Sequence, residues 1–227
     1  MPVSEKLTQA TEDYLKAIYD LNGKDWAVTT NALAQRLGYA PASVTGMLKK
    51  LAVHEPKLVH YTRHRGVTLT EAGEKIALEI IRHHRLIELY LSDALGYSWD
   101  KVHEEAEMLE HVISEEFEER ISRKLGDPDL DPHGEPIPTK EGSVATPSGA
   151  CLTDLESGQA GIIVRVLDDN PSLLRYLAEL GMQPSAHVRV TERAPFGGPL
   201  YVRVRSGDVH ALGRQVTDSI YLSLDKI

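Results

Sequence analysis

Residues 29–70 read TTNALAQRLGYAPASVTGMLKKLAVHEPKLVHYTRHRGVTLT, and their pattern predicts the fold of the first part of the chain. Apolar residues recur at helical spacing up to Gly38 and again from Pro41, and these two residues are typical of a helix end and a helix start. Short apolar runs on either side of Arg65–Gly66 predict two strands joined by a turn. Two helices separated by the break GYA and followed by a hairpin indicate a winged helix-turn-helix unit.

The second helix of such a unit presents its N-terminal residues to base edges in the major groove. Here those residues are small, so we expect contacts with thymine methyl groups, hydroxyl hydrogen bonds and close backbone approach rather than arginine–guanine pairs. Two lysines follow where phosphates should run, and two arginines lie near the wing tip. The candidate DNA-binding residues are Ala40, Ala42, Ser43, Thr45, Gly46, Lys49, Lys50, Arg63 and Arg65. A plain three-helix bundle with solvated lysines is the alternative.

The formal net charge of −9 is unusual for a DNA-binding protein, but its distribution matters more than its sum. Basic residues concentrate between Lys49 and Arg65, and acidic residues concentrate between Glu104 and Glu119. This separation fits a DNA-binding protein that also binds cations, although the acidic run also fits a solvated helix face. We find no apolar run of the ~20 residues that a membrane span needs and no secretion signal at the start. With Cys151 as its only cysteine, the chain is expected to be cytoplasmic.

The amino-acid composition of the chain and its hydrophobic periodicity change near residue 126. Before that point, helical spacing predicts helices from about Thr8 to Leu21, over residues 71–95 and continuously from about Trp99 to Leu125. Residues 127–150 are rich in Pro, Gly, Asp and Ser, which predicts an extended linker. From about Cys151, alternation of apolar and polar residues around one helix predicts a small, strongly bent antiparallel β-barrel.

The segment HEEAEMLEH, residues 103–111, carries the strongest chemical signal. On a continuous helix its two histidines and two of its glutamates share a broad stripe, and Met108, Leu109 and Val112 can point into the core. The members of that stripe that we consider candidate ligands are His103, Glu107, Glu110 and His111. Burying so many carboxylates is costly unless cations neutralise them, so the segment predicts a metal site.

The preceding helix offers His84 and Glu88, which are four residues apart and can converge with the first set on one or two metal ions. A zinc hydrolase is the alternative to a regulatory site, but residues 107–111 read EMLEH and place glutamate where the first histidine of a zinc-protease motif should be. We also find no nucleophile elbow, phosphate loop or dinucleotide fingerprint. We therefore expect neither an enzyme nor a small-molecule substrate.

Over nearly its whole length the sequence resembles the diphtheria toxin repressor family of metal-dependent regulators, and specifically its manganese-responsive branch. Besides the helix-turn-helix, the motifs that carry the resemblance are ATEDYLKAIY (10–19), RGVTLTEAGEKIA (65–77), HHRLIELYL (83–91), KVHEEAEMLEH (101–111), HGEPIP (133–138), ELGMQPSAHVRV (179–190) and GGPLYVRV (197–204). The C-terminal motifs are similar to the SH3-like domain shared with ferrous-transport accessory proteins.

Together with the patterns above, the resemblance implies an α+β multidomain chain. The expected parts are a winged helix-turn-helix domain over residues 1–75, a helical dimerisation and metal-binding domain over 76–126, a Pro-rich linker over 127–150 and an SH3-like β-barrel domain over 151–227.

The resemblance also implies a primary metal site made by Asp13, Glu107, Glu110 and His111. Iron-type members carry methionine and cysteine at the positions of Asp13 and Glu107. Carboxylates in place of sulfur harden the site and favour Mn²⁺, with Fe²⁺ as the alternative ion.

A second site is implied by His84, Glu88 and His103, completed in iron-type members by two residues of the SH3-like domain. Those two positions align with Asp168 and Arg165, and because arginine cannot bind a cation, either Asp169 substitutes or the domain contributes one ligand. The manganese branch instead builds a binuclear centre with a glutamate at the position of Lys16. We therefore expect two sites per subunit, a manganese-type primary site and an iron-type second site.

The function implied is a homodimeric repressor of metal uptake and homeostasis genes that binds double-stranded operator DNA. Metal that joins the first helix to the dimerisation region would set the separation of the two recognition helices in the dimer. The alternatives are an Fe²⁺-responsive regulator of the same family or, in a different class, a cytosolic metal-buffering or metal-delivery protein. The wing and the Lys49–Lys50 pair argue against the buffering protein.

Overall fold

The computed structural model describes residues 7–21, 27–167 and 170–225. The chain divides into two compact units, of which the first comprises residues 1–83, 110–112 and 138–143. The second comprises residues 84–109, 113–137 and 144–227. Among the described residues, no helix combines the length and the apolar character needed to cross a membrane.

Three helices open the first unit: α1 (Gln9–Leu21), α2 (Thr30–Leu37) and α3 (Pro41–Val53). The Thr29 hydroxyl accepts the Ala32 N–H at the start of α2, and Gly38 ends that helix in the left-handed region at φ 70°. All three helices contribute to one apolar core, in which Leu15 of α1, Leu33 of α2 and Leu48 of α3 are fully buried. The predicted helix-turn-helix is confirmed.

The wing consists of β1 (Val59–Thr62) and β2 (Gly66–Leu69), which pair antiparallel with Thr62 opposite Gly66. The turn therefore covers residues 63–65 and lies slightly earlier than the predicted Arg65–Gly66 position. Gly66 has a φ of +102°, and a Cβ atom there would lie 2.7 Å from the carbonyl oxygen of Val28. Only glycine fits this close approach.

Helix α4 (Glu71–Leu95) matches its predicted bounds, whereas the predicted continuous helix over 99–125 is wrong. It is two helices, α5 (Val102–Leu109) and α6 (Glu115–Lys124). The carbonyl oxygen of Glu110 lies 3.1 Å from His83 Nδ1 instead of continuing the helical ladder, and the Ser114 hydroxyl accepts the Phe117 N–H and starts α6. Glu110 and His111 consequently follow the end of α5 rather than sharing its face.

The break also changes which apolar residues are buried. Met108 is 63% exposed and Val112 is 67% exposed, so the prediction that they point into the core is wrong. Within the second unit, α5 instead packs through Val102 and Ala106 against Ile87 of α4. Met108 therefore lies on a face of α5 other than the one that packs against α4, and Val112 lies beyond the end of α5.

The C-terminal part of the second unit is an antiparallel sheet with bulges in β4 and β5. Its elements are β3 (Ala150–Cys151), a short 3₁₀ turn (Leu152–Asp154), β4 (Ala160–Val166), α7 (Pro171–Glu179), β5 (His187–Arg193), β6 (Leu200–Val204), β7 (Val209–Leu212), α8 (Arg214–Thr217) and β8 (Ile220–Leu224). The strand order is β3–β8–β4–β5–β6–β7. Among the described residues no pairing joins β3 to β7, so the predicted SH3-like β-barrel is a bent antiparallel sheet whose two edge strands are not paired with each other.

The HGEPIP motif, predicted as part of an extended linker, is folded. Asp131 and His133 are buried, and Asp131 Oδ1 accepts the backbone N–H groups of His133 and Glu135. Gly134 adopts φ +86°, and a Cβ atom there would lie 2.0 Å from the Val164 carbonyl oxygen of β4. Proline and glycine at this point therefore shape a tight loop against the sheet rather than a spacer.

Candidate metal centre and DNA-reading surface

Helix α3 presents one exposed face in the first unit. The predicted DNA-binding residues that are exposed on this face and on the turn before it are Ala40, Ala42, Ser43, Gly46, Lys49 and Lys50. Thr45 is half-buried, and its hydroxyl donates to the Pro41 carbonyl oxygen at 2.9 Å, so it can only accept from a ligand. A Cβ atom at Gly46 would meet nothing within 4 Å, which leaves the surface open to close approach.

The wing tip adds positive charge to the first unit. Arg63 and Arg65 are both exposed, and His64 between them adopts a left-handed φ of 67°. All nine predicted DNA-binding residues thus lie on the helix-turn-helix and wing, and only Thr45 is partly buried. Their contact with DNA stays a prediction.

Three of the four predicted primary ligands come together in the first unit. Asp13 lies on α1, and Glu110 and His111 lie in the segment that follows α5. His111 Nε2 is 2.8 Å from Asp13 Oδ1 and 3.3 Å from Glu110 Oε1. One donor atom from each residue lies within 4.8 Å of the others.

The nitrogen at the centre of this group is suited to a cation. His111 Nε2 is buried and has no hydrogen-bond partner among the residues that the structure describes. A lone pair held against two carboxylate oxygens is unfavourable unless a positive charge lies between them. Two oxygen donors and one imidazole nitrogen therefore fit a divalent metal ion.

Lys16 adds a fixed positive charge to the cluster. Its ammonium donates to both oxygens of Glu110, at 2.9 and 2.8 Å, and the side chains of Lys16 and Glu110 are 10% and 0% exposed. The amine thus stands where the resemblance implied the missing glutamate of a binuclear centre. The ammonium therefore already neutralises one of the carboxylates of this cluster.

The sequence did not single out Glu12. Its Oε2 lies 2.7 Å from Nδ1 of His111, on the ring edge opposite Asp13. The only sequence signal was that it precedes a predicted ligand in the ATEDY motif. Neighbouring residues of a helix rarely reach the same partner, so spacing alone did not reveal it.

Glu107, the fourth predicted primary ligand, belongs to the second unit. There its Oε1 lies 3.7 Å from Nε2 of His103 and 4.0 Å from Nδ1 of His84. It therefore borders the predicted second site.

The second predicted site is compact within the second unit. His84 Nε2 lies 2.9 Å from Glu88 Oε1 and 3.1 Å from His103 Nδ1, and His103 Nδ1 lies 3.2 Å from Glu88 Oε1. Two imidazoles and one carboxylate at these distances form a donor set for a divalent ion.

Of the two residues expected from the C-terminal domain, only Arg165 is described by the structure, and it does not join this set. Asp168, and Asp169 with it, lie outside the described residues. Arg165 instead donates to Glu135 Oε1 at 3.1 Å and stacks 4.1 Å over the Tyr221 ring. A guanidinium paired in this way has a structural role rather than a metal-binding one.

Burial and charge around the second site shift two carboxyl groups in opposite directions. Burial alone would raise the pKa of Glu88, but the charges and hydrogen bonds of His84 and His103 outweigh it and hold that pKa well below its usual range. Burial, and then the negative charge of Glu88, raise the pKa of Asp131 to about 7 despite the opposing charge of Arg85. The site thus holds Glu88 ionised, as a metal ligand needs to be.

Three family descriptions match successive parts of the chain. Iron dependent repressor, N-terminal DNA binding domain, matches residues 6–67. Iron dependent repressor, metal binding and dimerisation domain, matches residues 70–139. FeoA domain matches residues 151–224, the region that we predicted to be SH3-like.

Individual proteins match over most of the chain. The iron-dependent repressor IdeR of Mycobacterium tuberculosis is 34% identical over 205 residues, which cover 85% of this chain and 88% of that protein. A solved manganese-dependent transcriptional repressor in complex with manganese is 39% identical, with a TM-score of 0.85, and the match covers 94% of this chain and 99% of the other. The structure of ScaR with bound Zn²⁺ is 34% identical, with a TM-score of 0.78 and coverage of 96% and 99%.

Proposed function

Because the chain belongs to the diphtheria toxin repressor and iron-dependent repressor family of metal-dependent transcriptional repressors, we propose that Mn²⁺ is its ligand and that it represses genes of metal uptake and homeostasis. The family consists of transcriptional regulators, which agrees with the lack of a catalytic motif in the sequence. Repression of a metal-uptake gene by a metal-loaded regulator closes a feedback loop on metal supply.

The convergence of Asp13, Glu110 and His111 carries this proposal. These residues supply oxygen and nitrogen donors without sulfur, a set that favours Mn²⁺ over softer ions. With His111 neutral, the cluster has a net charge of −2, which one divalent ion neutralises. The charge comes from three carboxylates and one ammonium, those of Glu12, Asp13, Glu110 and Lys16.

Fe²⁺ is the second candidate, because the similar proteins from Mycobacterium are named iron-dependent, whereas similar solved structures are named manganese-dependent. Oxygen and imidazole donors accept either ion, and selectivity then follows coordination number and metal supply. Titration of DNA binding with each ion under anaerobic conditions separates the two. Activation by Mn²⁺ at lower free concentration than by Fe²⁺ supports our assignment, and the reverse order contradicts it.

The residues at the primary cluster link two parts of the chain. A bound divalent ion supplies a positive charge with fixed coordination directions at this point. Asp13 reaches the cluster from α1, while Glu110 and His111 reach it from the segment after α5. Helix α1 shares an apolar core with α2 and α3. Holding α1 to the segment after α5 therefore also restrains α3, the recognition helix.

The restraint acts as a shift between conformations. A ligand that binds the DNA-competent form about 10⁴-fold more tightly than the other form moves its population from about 1% to about 99%. We propose that the DNA-competent form is a homodimer whose two α3 helices match half-sites about one helical turn apart. Exposed apolar side chains on the helices of the second unit, Leu95, Met108 and Phe117, fit a surface that a second copy covers.

A gel-shift experiment on the DNA upstream of the protein's own gene tests the proposal. We expect a retarded complex with Mn²⁺, little complex with chelator present, and competition by the same DNA but not by unrelated DNA. Failure to bind DNA under either condition, with metal binding intact, would instead support a metal-buffering protein.

Substitution of the α3 lysines tests whether this helix contacts the phosphates of DNA. Lys49→Ala and Lys50→Ala are each expected to weaken binding to all DNA sequences alike and to reduce the slope of log affinity against log salt by about 1, since each removes one phosphate contact. Binding isotherms at several salt concentrations measure this slope. Lys75→Ala, on an exposed position of α4, is the matched control. Equal slopes for all three variants and the parent would place the DNA elsewhere.

A further inference from the structure

Two consecutive carboxylates of α1 hold the ring of His111 from both sides. Glu12 Oε2 lies 2.7 Å from Nδ1, and Asp13 Oδ1 lies 2.8 Å from Nε2. The two contacts differ in kind. The Nδ1 contact has hydrogen-bond geometry, whereas the buried Nε2 has no hydrogen-bond partner among the residues that the structure describes. The ring proton therefore fits on Nδ1, and the lone pair of Nε2 faces Asp13 and Glu110.

We propose that Glu12 is a positioning residue, which accepts the Nδ1–H of His111 and so fixes the tautomer and the orientation of that ring. The inference deepens the proposed function and depends on it, because it makes Nε2 the metal-binding atom. Histidines that bind metals commonly donate their other N–H to a carboxylate, which fixes the ring and raises its basicity. Among the described residues, Glu12 is the carboxylate within hydrogen-bond distance of Nδ1 of His111.

The surroundings favour a strong contact. The side chain of His111 is 4% exposed and that of Glu12 is 15% exposed, so little water competes for the hydrogen bond. Glu12 does not belong to the group of donor atoms formed by Asp13, Glu110 and His111. It acts on the far edge of the ring, and its influence on metal binding passes through His111.

The test compares Glu12→Ala with Glu12→Gln. The amide oxygen of glutamine still accepts a hydrogen bond from Nδ1–H, whereas alanine offers no acceptor. Nitrogen-15 NMR of the metal-free chain, under alkaline conditions that keep imidazoles neutral, reports which ring nitrogen of His111 carries the proton. Calorimetry then reports the affinity for Mn²⁺. Glu116→Ala removes a carboxylate that is 74% exposed and serves as the control.

We expect Nδ1–H in the parent, in Glu12→Gln and in the control, and a mixture of tautomers in Glu12→Ala. The Mn²⁺ affinity of Glu12→Ala is expected to fall about 10–100-fold, with partial recovery in Glu12→Gln. An unchanged tautomer and affinity in Glu12→Ala, or an equal loss in both Glu12 variants, would overturn the inference. The NMR comparison needs no metal, so a parent chain that binds no Mn²⁺ but loses Nδ1–H in Glu12→Ala contradicts the proposed function alone.

Discussion

Replacing His111 with alanine is expected to abolish the Mn²⁺-dependent increase in DNA affinity while the chain remains folded. The substitution removes the nitrogen donor of the primary cluster and leaves two oxygen donors, those of Asp13 and Glu110, to bind the metal ion. Because the proposed switch needs about a 10⁴-fold difference in metal affinity between two conformations, loss of one ligand leaves most molecules in the inactive form even at saturating metal. Fluorescence anisotropy with labelled operator DNA, at increasing Mn²⁺, measures the effect.

Two comparisons make this result interpretable. His187→Ala removes a histidine from the second unit that pairs with Asp225 at 2.9 Å and touches neither cluster, and it should respond to Mn²⁺ like the parent. Circular dichroism of the His111 variant should retain the helical signal, since no apolar core residue is changed. Mn²⁺ stimulation that survives in His111→Ala would remove the primary cluster from the mechanism.

Replacing Lys16 with methionine is expected to lower the free energy of unfolding of the metal-free protein by about 3–5 kcal/mol, the usual cost of removing one partner from a buried ion pair. Methionine retains most of the aliphatic length of lysine, so the loss comes from the charge. The carboxylate of Glu110, fully buried, would lose both hydrogen bonds from the ammonium. Urea denaturation of the metal-free protein measures the change.

Metal should reverse part of this loss. Mn²⁺ is expected to raise the free energy of unfolding of Lys16→Met more than that of the parent, because the ion then binds beside a carboxylate that no lysine neutralises. An ion that binds only the native state stabilises the native state. Lys75→Met, at an exposed position, should unfold like the parent. An unfolding free energy of Lys16→Met equal to that of the parent would show that the Lys16–Glu110 pair contributes nothing.

The parts of the fold that depend on local pattern could be predicted, and those that depend on distant contacts could not. Helix α4 has a long periodic stripe, and its bounds were predicted correctly. The end of α5 depends on His83, whose ring meets the Glu110 carbonyl oxygen across 27 residues of sequence. No local propensity signals such a contact, so one helix was predicted where there are two.

Some residues of the candidate sites could likewise be predicted from the sequence, and others could not. Asp13, Glu110 and His111 were predicted through motifs of a family, and the structure places them together. Glu12 was missed because helical spacing does not lead one to expect consecutive residues at the same ring. Pro and Gly are typical of linkers and therefore predict a spacer at HGEPIP, whereas Gly134 provides close contact with the neighbouring sheet.

The ammonium of Lys16 is covalently part of the chain, so its presence beside Glu110 does not vary with the concentration of free metal. For the Mn²⁺ ligand proposed above, the lysine ammonium leaves one ion to bind at this cluster in each chain. The saturation curve of this cluster should follow a hyperbola, and any steepness in the response of a target gene has to come from coupling between subunits or from the second site. The threshold of the response is then set by one dissociation constant rather than by a product of two.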